Sequence, residues 1–440
     1  MSVRYDKLIP ALKRLLPEER IDFIGRSVAF IRRLRQISAS EYVWAVVLSR
    51  FGSGRPGFEQ ARQWYARLTG TLLWPRPFQI RFKSAATVRL FERTFEEAVA
   101  KWRVRRPARH PLARAFPDII AWDSSVVQVA DELRRIFKGT RSAVASLKVV
   151  LGVSIWGLLP VAARIVSGNR HDMILGPDPG LFRRGSLVLL DKGFVAYPRL
   201  RELHAGSIFF LCPMRLNGTA QIVGIHSAPA PVRRALRRNP KGIALRSVLD
   251  AKKRIRRVWD LRVLVRPKAT GADATPFEVR LVIVPGPDGA QRPYLTNLPP
   301  AWAPGAIREL YRLRWQIELV FKELKQHLNL ESVPTKDPHA AQVFLWASLL
   351  ALTLSRTVAT WLTPLALLTG LAAKLRPAVL TRALRAHVRT LGRAIHESAR
   401  TALLLLRLLA EELLDEARQP QPRREDSLRR LVPLLPRAAA

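Results

Sequence analysis

Between residues 118 and 214 the chain carries five short apolar runs, and these constrain its fold more than any other feature. They read DIIAWDSSVVQV (118–129), SLKVVLGVSIWG (146–157), PVAARIVSG (160–168), SLVLLDKGF (186–194) and SIFFLCPM (207–214), with YPRLRELHAG (197–206) before the last. Short apolar runs ending in turn residues are strands, and the intervening segment has a helical period. Strands alternating with a helix imply a mixed α/β sheet.

The flanks differ in texture. Residues up to about 102 read as helical, with a capping box at Ser38-Ala39-Ser40-Glu41, a break at GSGRPG (52–57), and helical periods in FEQARQWYARL and AATVRLFERTFEEAVAKW. VRRPARHPLAR (104–114) suits a basic linker. From about 216 to 300 the chain reads as an inserted, mostly β module that interrupts the sheet. Its run from Val232 to Trp259 holds eleven Lys or Arg against Asp250 alone, giving a basic face. A long helix is expected from about 305 to 329, then apolar helices to about 373. A basic helical segment follows with Arg382, Arg385, Arg389 and Arg393, and a Pro- and Arg-rich tail after Glu411, Glu412, Asp415 and Glu416. The expected domains are 1–114, a helical domain with its basic linker; 115–215, the first part of the core; 216–300, the insertion; 301–345, the rest of the core; and 346–440, C-terminal helices and tail.

Charge narrows the partner. Lys plus Arg number 74 against 34 Asp plus Glu, a formal net charge of +40. A folded chain so basic, with 48% hydrophobic residues, is expected to bind a polyanion, nucleic acid before a membrane surface. The single cysteine, Cys212, rules out an intramolecular disulfide and a cysteine zinc cluster, and the N-terminus shows no signal-peptide pattern. Arg356 and Pro364 interrupt the apolar stretch 343–373, which suits buried core helices better than a membrane span.

Against that background three acids stand out. Asp123 follows Ile119, Ile120, Ala121 and Trp122 in an apolar strand, where a charge is costly unless paired or metal-bound; a turn cap with Ser124 and Ser125 is the alternative. Asp191 closes LVLLD at the C-terminal mouth of a strand, where open α/β sheets bind ligands, or simply starts a turn. In YRLRWQIELVFKELKQ (311–326), a helical projection from Tyr311 puts Arg314 at about 300°, Glu318 at about 340° and Lys325 at about 320°. Leu310, Leu313, Ile317, Val320, Phe321, Leu324 and Leu328 lie beside them at about 180–280°, while Glu309 and Glu323 point away at about 160° and 120°. An Arg–Glu pair on a solvated face would give the same stripe.

These residues resemble the DDE transposases of bacterial insertion sequences, in particular the insertion-sequence-four group with its signature Y-(2)-R-(3)-E-(6)-K, met here by Tyr311, Arg314, Glu318 and Lys325. AWDSSVV resembles the family's first-aspartate strand, SGNRHD (167–172) its His-Asp stretch, LLDKGFVAYPRLREL its second-aspartate block, and IFFLCPMRLN and YLTNLP the strands that follow. The resemblance implies a ribonuclease H-like core with a β-strand insertion. It makes Asp123, Asp191 and Glu318 a catalytic triad for two Mg²⁺ or Mn²⁺ ions, with Asp172 a weaker candidate ligand. Tyr311, Arg314 and Lys325, with Lys192 and Arg215, become contacts to DNA phosphates. It further implies double-stranded DNA (terminal inverted repeats and target) as partner, a homodimer on DNA, and a cytoplasmic, nucleoid-associated protein with no membrane role. Cut-and-paste through a hairpin would need a flipped base on an aromatic, for which Trp259, Tyr294, Trp302 and Trp315 are candidates. A DNA-binding derivative without activity, and a nuclease of the same fold without strand transfer, stay open as alternatives.

Overall fold

The computed structural model describes residues 17–31, 37–52, 57–101, 111–140, 144–214, 220–248, 257–266, 275–286, 289–368, 377–396 and 431–436, and single positions at 404, 408 and 412. Five helices come first: α1 (Glu18–Ser27), α2 (Ala39–Ser49), α3 (Phe58–Thr69), α4 (Pro75–Phe82) and α5 (Ala85–Lys101). Ser38 caps α2, its hydroxyl accepting from the Glu41 amide at 3.1 Å and satisfying a donor the helix cannot pair itself, while the Glu41 carboxylate accepts from the Tyr65 hydroxyl at 3.1 Å. Apart from Glu41, every residue of α2 is buried. Arg50, just beyond it, is buried too and donates to the carbonyls of Asn329 and Ser332 and to Ser348, so the helical part is bolted to the C-terminal half.

After α6 (Pro111–Ala115) the expected strands form: β1 (Ile119–Gln128), β2 (Ser146–Ser154), β3 (Pro160–Ser167), β4 (Leu187–Leu190) and β5 (Phe209–Pro213), with α7 (Tyr197–Ala205) crossing from β4 to β5. β1 to β3 are an antiparallel meander, whereas β4 and β5 run parallel to β1, in spatial order β3-β2-β1-β4-β5. This is the mixed ribonuclease H-like core that the strand pattern and the resemblance imply.

The segment expected to interrupt the sheet extends it instead. Its elements are β6 (Ala220–Ser227), α8 (Ala230–Arg238), β7 (Ile243–Ala244), α9 (Leu245–Val248), β8 (Trp259–Val265), β9 (Phe277–Pro285) and β10 (Gln291–Thr296). β10 pairs antiparallel with β5, and ten strands continue in the order β3-β2-β1-β4-β5-β10-β9-β8-β6-β7. The physical reason is the open edge of β5, whose backbone groups need partners that β10 supplies. A buried Asp260–Arg280 pair at 2.7 Å fastens β8 to β9, and Arg280 also donates to the Trp302 carbonyl at 2.8 Å.

Then follow α10 (Pro304–Arg312), α11 (Trp315–His327), α12 (Pro338–Leu368), α13 (Pro377–Ala386) and α14 (Val388–His396). Two expectations are corrected here. The single helix expected over 305–329 is α10 and α11, separated at Leu313 and Arg314. There the amides of Leu313, Arg314, Gln316 and Ile317 bond three residues back, at 3.0–3.1 Å, a tightened turn of the kind found at hinges. Conversely, the apolar stretch after 338 is one helix of 31 residues that runs through both Arg356 and Pro364. Over Pro338–Thr360 α12 is long and apolar enough to cross a membrane, and most of that length is buried within the fold.

Candidate active site

The pairing of β1 with β4 ends at Trp122 opposite Leu190, so Asp123, midway along β1, and Asp191, just past the end of β4, stand at the same level on adjacent parallel strands. Side chains alternate along a strand. Asp123 therefore shares the face of Ile119 and Ala121, and Asp191 that of Leu187 and Leu189. These four apolar residues belong to one buried cluster with Ile317, Val320, Phe321 and Leu324 of α11. The helix that buries its apolar stripe on this face thus draws Glu318 over the strand ends.

All three acids meet one guanidinium. Arg314 Nη1 lies 2.8 Å from Asp123 Oδ2 and 3.9 Å from Asp191 Oδ1, and its Nη2 lies 2.5 Å from Glu318 Oε1. The Asp123 carboxyl is pushed up to about 6: burial raises it, Asp191 and Glu318 raise it further, and the Ser124 amide and Arg314 oppose them. Burial works against the charge on Arg314, but Tyr311, Asp123, Glu318 and Asp191 outweigh it and hold its pKa above the ordinary value. Asp191 also accepts from the Gly193 amide at 3.2 Å, which fixes the turn after β4.

The remaining expected residues fall in different places. Tyr311 donates to the Leu190 carbonyl at 3.4 Å and packs on Tyr294, so it braces the backbone from which Asp191 departs. Lys325 pairs with Glu331 at 2.8 Å on the partly exposed side of α11. Lys192 is exposed beside Asp191, and Arg215 lies outside the described residues. Asp172 is on the other face of the sheet, accepting from Lys148 at 2.8 Å and Ser124 at 3.1 Å. It abuts Gly193, where a Cβ would stand 3.1 Å from Asp172 Oδ2, so the glycine after Lys192 makes room for it. Of the four aromatics, Trp259, Tyr294 and Trp302 are buried, whereas Trp315, next to Arg314, is 57% exposed.

Glu323 went unseen as a buried group. Its carboxylate is 3% exposed and binds Arg356, and the available signal was Arg356 itself, since a fully buried arginine needs an acid partner.

Carboxylate oxygens from separate elements are the donor type that a hard divalent cation takes. Among the described residues, no three His, Cys, Asp or Glu groups stand at metal-ligand spacing; the Arg314 guanidinium occupies the space between the acids. Arg314→Ala is accordingly expected to lower stability in chelator by about 1–3 kcal/mol, because it leaves like charges without a counter-ion. The same variant should regain more stability than the parent when Mg²⁺ or Mn²⁺ is added. Thermal melts with and without metal check this, and equal increments for both proteins would count against it.

Comparison with known proteins identifies the family. The family model described as "Transposase DDE domain" matches residues 114–354, from just before β1 into α12. The transposase for insertion sequence element IS231F of Bacillus thuringiensis subsp. israelensis is 20% identical over 383 residues, 78% of each chain. The putative transposase InsL for IS186A of Escherichia coli K12 is 45% identical over 58 residues, 13% of this chain and 16% of the relative. Putative transposase y4zB of Sinorhizobium fredii is 27% identical over 197 residues, 44% of this chain and 48% of the relative. Among solved structures, a piggyBac transposase synaptic complex with hairpin DNA is similar at a TM-score of 0.46 and 9% identity, covering 98% of this chain and 86% of that one. With more than half of its length matched by the family model, and with that model's span enclosing Asp123, Asp191 and Glu318, the chain belongs to the DDE transposase family of insertion sequences.

Proposed function

We propose that the protein cuts the ends of an insertion sequence and joins the freed 3′-OH ends to target DNA, with Asp123, Asp191 and Glu318 as the catalytic acids. The observation that carries this reading is their convergence from β1, β4 and α11 on one guanidinium. Spacing of Tyr311, Arg314, Glu318 and Lys325 supports membership of the insertion-sequence-four group.

In this reading Asp123, Asp191 and Glu318 would hold Mg²⁺ or Mn²⁺, two ions in all, which would supply Lewis-acid stabilisation of charge at the scissile phosphate. The protein's own groups do the rest. Tyr311 and the Gly193 amide hold the strand end that carries Asp191. Arg314 shares its charge among the acids in the free protein and is positioned to pass it to a DNA phosphate, and Lys325 and Lys192 extend the cationic rim. Water attack at a phosphodiester of the element's end breaks its P–O3′ bond, leaving a 5′-phosphate and a free 3′-OH; that hydroxyl attacks a phosphodiester of the opposite strand or target DNA in line, forming a new P–O bond and expelling the attacked strand's own 3′-OH. Two ends must be held together, so the protein acts as a homodimer on DNA, with the C-terminal helices the proposed contact and the N-terminal helices a DNA-binding domain.

Exposure of Trp315 beside the acids supports it as the stacking platform for a flipped base in a hairpin intermediate. Trp315→Ala is expected to cost about 1–3 kcal/mol of stacking and to abolish the fluorescence change of a 2-aminopurine placed at the flipped position. An unchanged signal would remove Trp315 from this role. The reading as a whole is tested by incubating the protein with metal, labelled terminal-repeat DNA and a plasmid. Cleavage followed by joining of the label is expected. Cleavage without joining indicates a nuclease, and neither activity indicates a DNA-binding derivative.

A further inference from the structure

Four arginines of this chain pair with a glutamate three residues away: Arg62 with Glu59, Arg93 with Glu96, Arg199 with Glu202 and Arg312 with Glu309. Helix α8 has no such acid. Residues 220–248 contain Arg233, Arg234, Arg237, Arg238, Lys241 and Arg246 and no acid at all. A projection of α8 from Arg234 puts Arg237 at about 300° and Arg238 at about 40°, opposite Val232 at about 160° and Leu236 at about 200°. Val232 is buried against the sheet, with Ala235 and Leu236 packed beside it, and the three arginines and Lys241 are exposed. Among the described residues none of these four cations has a carboxylate partner. Like charges one turn apart repel by a few tenths of a kcal/mol per pair, so the cluster carries an electrostatic cost that an anion would relieve.

The location separates this cluster from the catalytic acids. β6, on which α8 packs, stands six strand positions from β1 in the sheet order, roughly 30 Å at about 4.8 Å per strand. α8 also covers the face whose core includes Trp122 and Leu190, not the face that α11 covers.

We propose that α8 is a second docking ridge for duplex DNA, binding backbone phosphates without reading sequence and separate from the contacts around the acids. It rests on the transposase reading only in that DNA is the polyanion. Arginines on one stripe at a helical turn's separation track a phosphate backbone, and each phosphate neutralised releases counter-ions.

The test uses the full chain, a labelled duplex of about 30 base pairs unrelated to any element end, and anisotropy across roughly 50–200 mM salt. The triple variant Arg234→Gln/Arg237→Gln/Arg238→Gln should show a log–log salt slope shallower by about 2–3 and affinity weaker on the order of 10²-fold. Its melting temperature should match the parent's, since all three positions are exposed and Gln suits a helix as well as Arg. The corresponding Arg→Lys triple should keep the parent's slope, because a phosphate contact needs the charge and not the fork. An unchanged slope in the Gln triple, or equal losses in the Lys triple, would overturn the proposal. So would loss of binding to phosphatidylserine vesicles with DNA binding intact, which would assign the ridge to a membrane surface. Failure of the parent protein itself to bind or cut DNA would instead sink the transposase reading.

Discussion

Glu318→Gln is expected to reduce metal-dependent cleavage of terminal-repeat DNA by on the order of 10³-fold, the rate equivalent of several kcal/mol of transition-state stabilisation. The change keeps the shape of the side chain and its capacity to accept from Arg314 Nη2, now 2.5 Å away, but removes one of the three negative charges. Folding should be little affected, by at most about 1 kcal/mol, because the pair it weakens is partly open to solvent. Divalent-ion affinity, measured by calorimetry on the protein without DNA, should fall in parallel with cleavage. Normal cleavage by the Gln variant would eliminate Glu318 as a catalytic acid. Loss of cleavage with unaltered metal affinity would leave Glu318 as a DNA-positioning group.

Much of this site was legible before any coordinates. Asp123 stands out as a carboxylate within an apolar strand and Asp191 as an acid at the C-terminal mouth of one; that both lie on one face follows only from the pairing of β1 with β4. The projection of α11 set Glu318 at the edge of the buried stripe, but it turned Glu323 away from any buried face although that carboxylate is 3% exposed and paired with Arg356. What failed has physical causes. The tightened turn at Leu313 and Arg314 contains no Pro or Gly, the usual sequence marks of a break. The spacing of Arg314 and Glu318 announces an i,i+4 pair, but no local pattern announces that the same guanidinium reaches Asp123, 191 residues away. The insertion's strands were recognisable individually; that they continue the sheet depends on which edge is open, a tertiary property. Pro364 was expected to divide an apolar stretch that is one helix, since buried helices tolerate what packing compensates.

The second large effect concerns how α11 is held. Glu323 lies five residues beyond Glu318, and its carboxylate accepts from Arg356 Nη1 at 2.8 Å, Arg356 Nη2 at 2.5 Å and the Thr381 hydroxyl at 2.5 Å. Arg356 also donates from Nε to the Leu158 carbonyl at 3.1 Å. The bidentate pair, with side chains 0% and 3% exposed, therefore joins α11 to α12, to α13 and to the turn before β3. Arg356→Leu should destabilise the protein by about 3–5 kcal/mol, because it strands a buried carboxylate rather than because the pair is itself strongly favourable. If so, the double variant Glu323→Leu/Arg356→Leu should recover most of that loss, since an apolar pair removes both desolvation penalties. Urea denaturation of the two single variants and the double closes the cycle. A double variant no more stable than Arg356→Leu would show that shape at this junction, and not charge pairing, holds α11. Cleavage by a recovered double variant would then report whether a rigid α11, however anchored, is sufficient to keep Glu318 over the two strand ends.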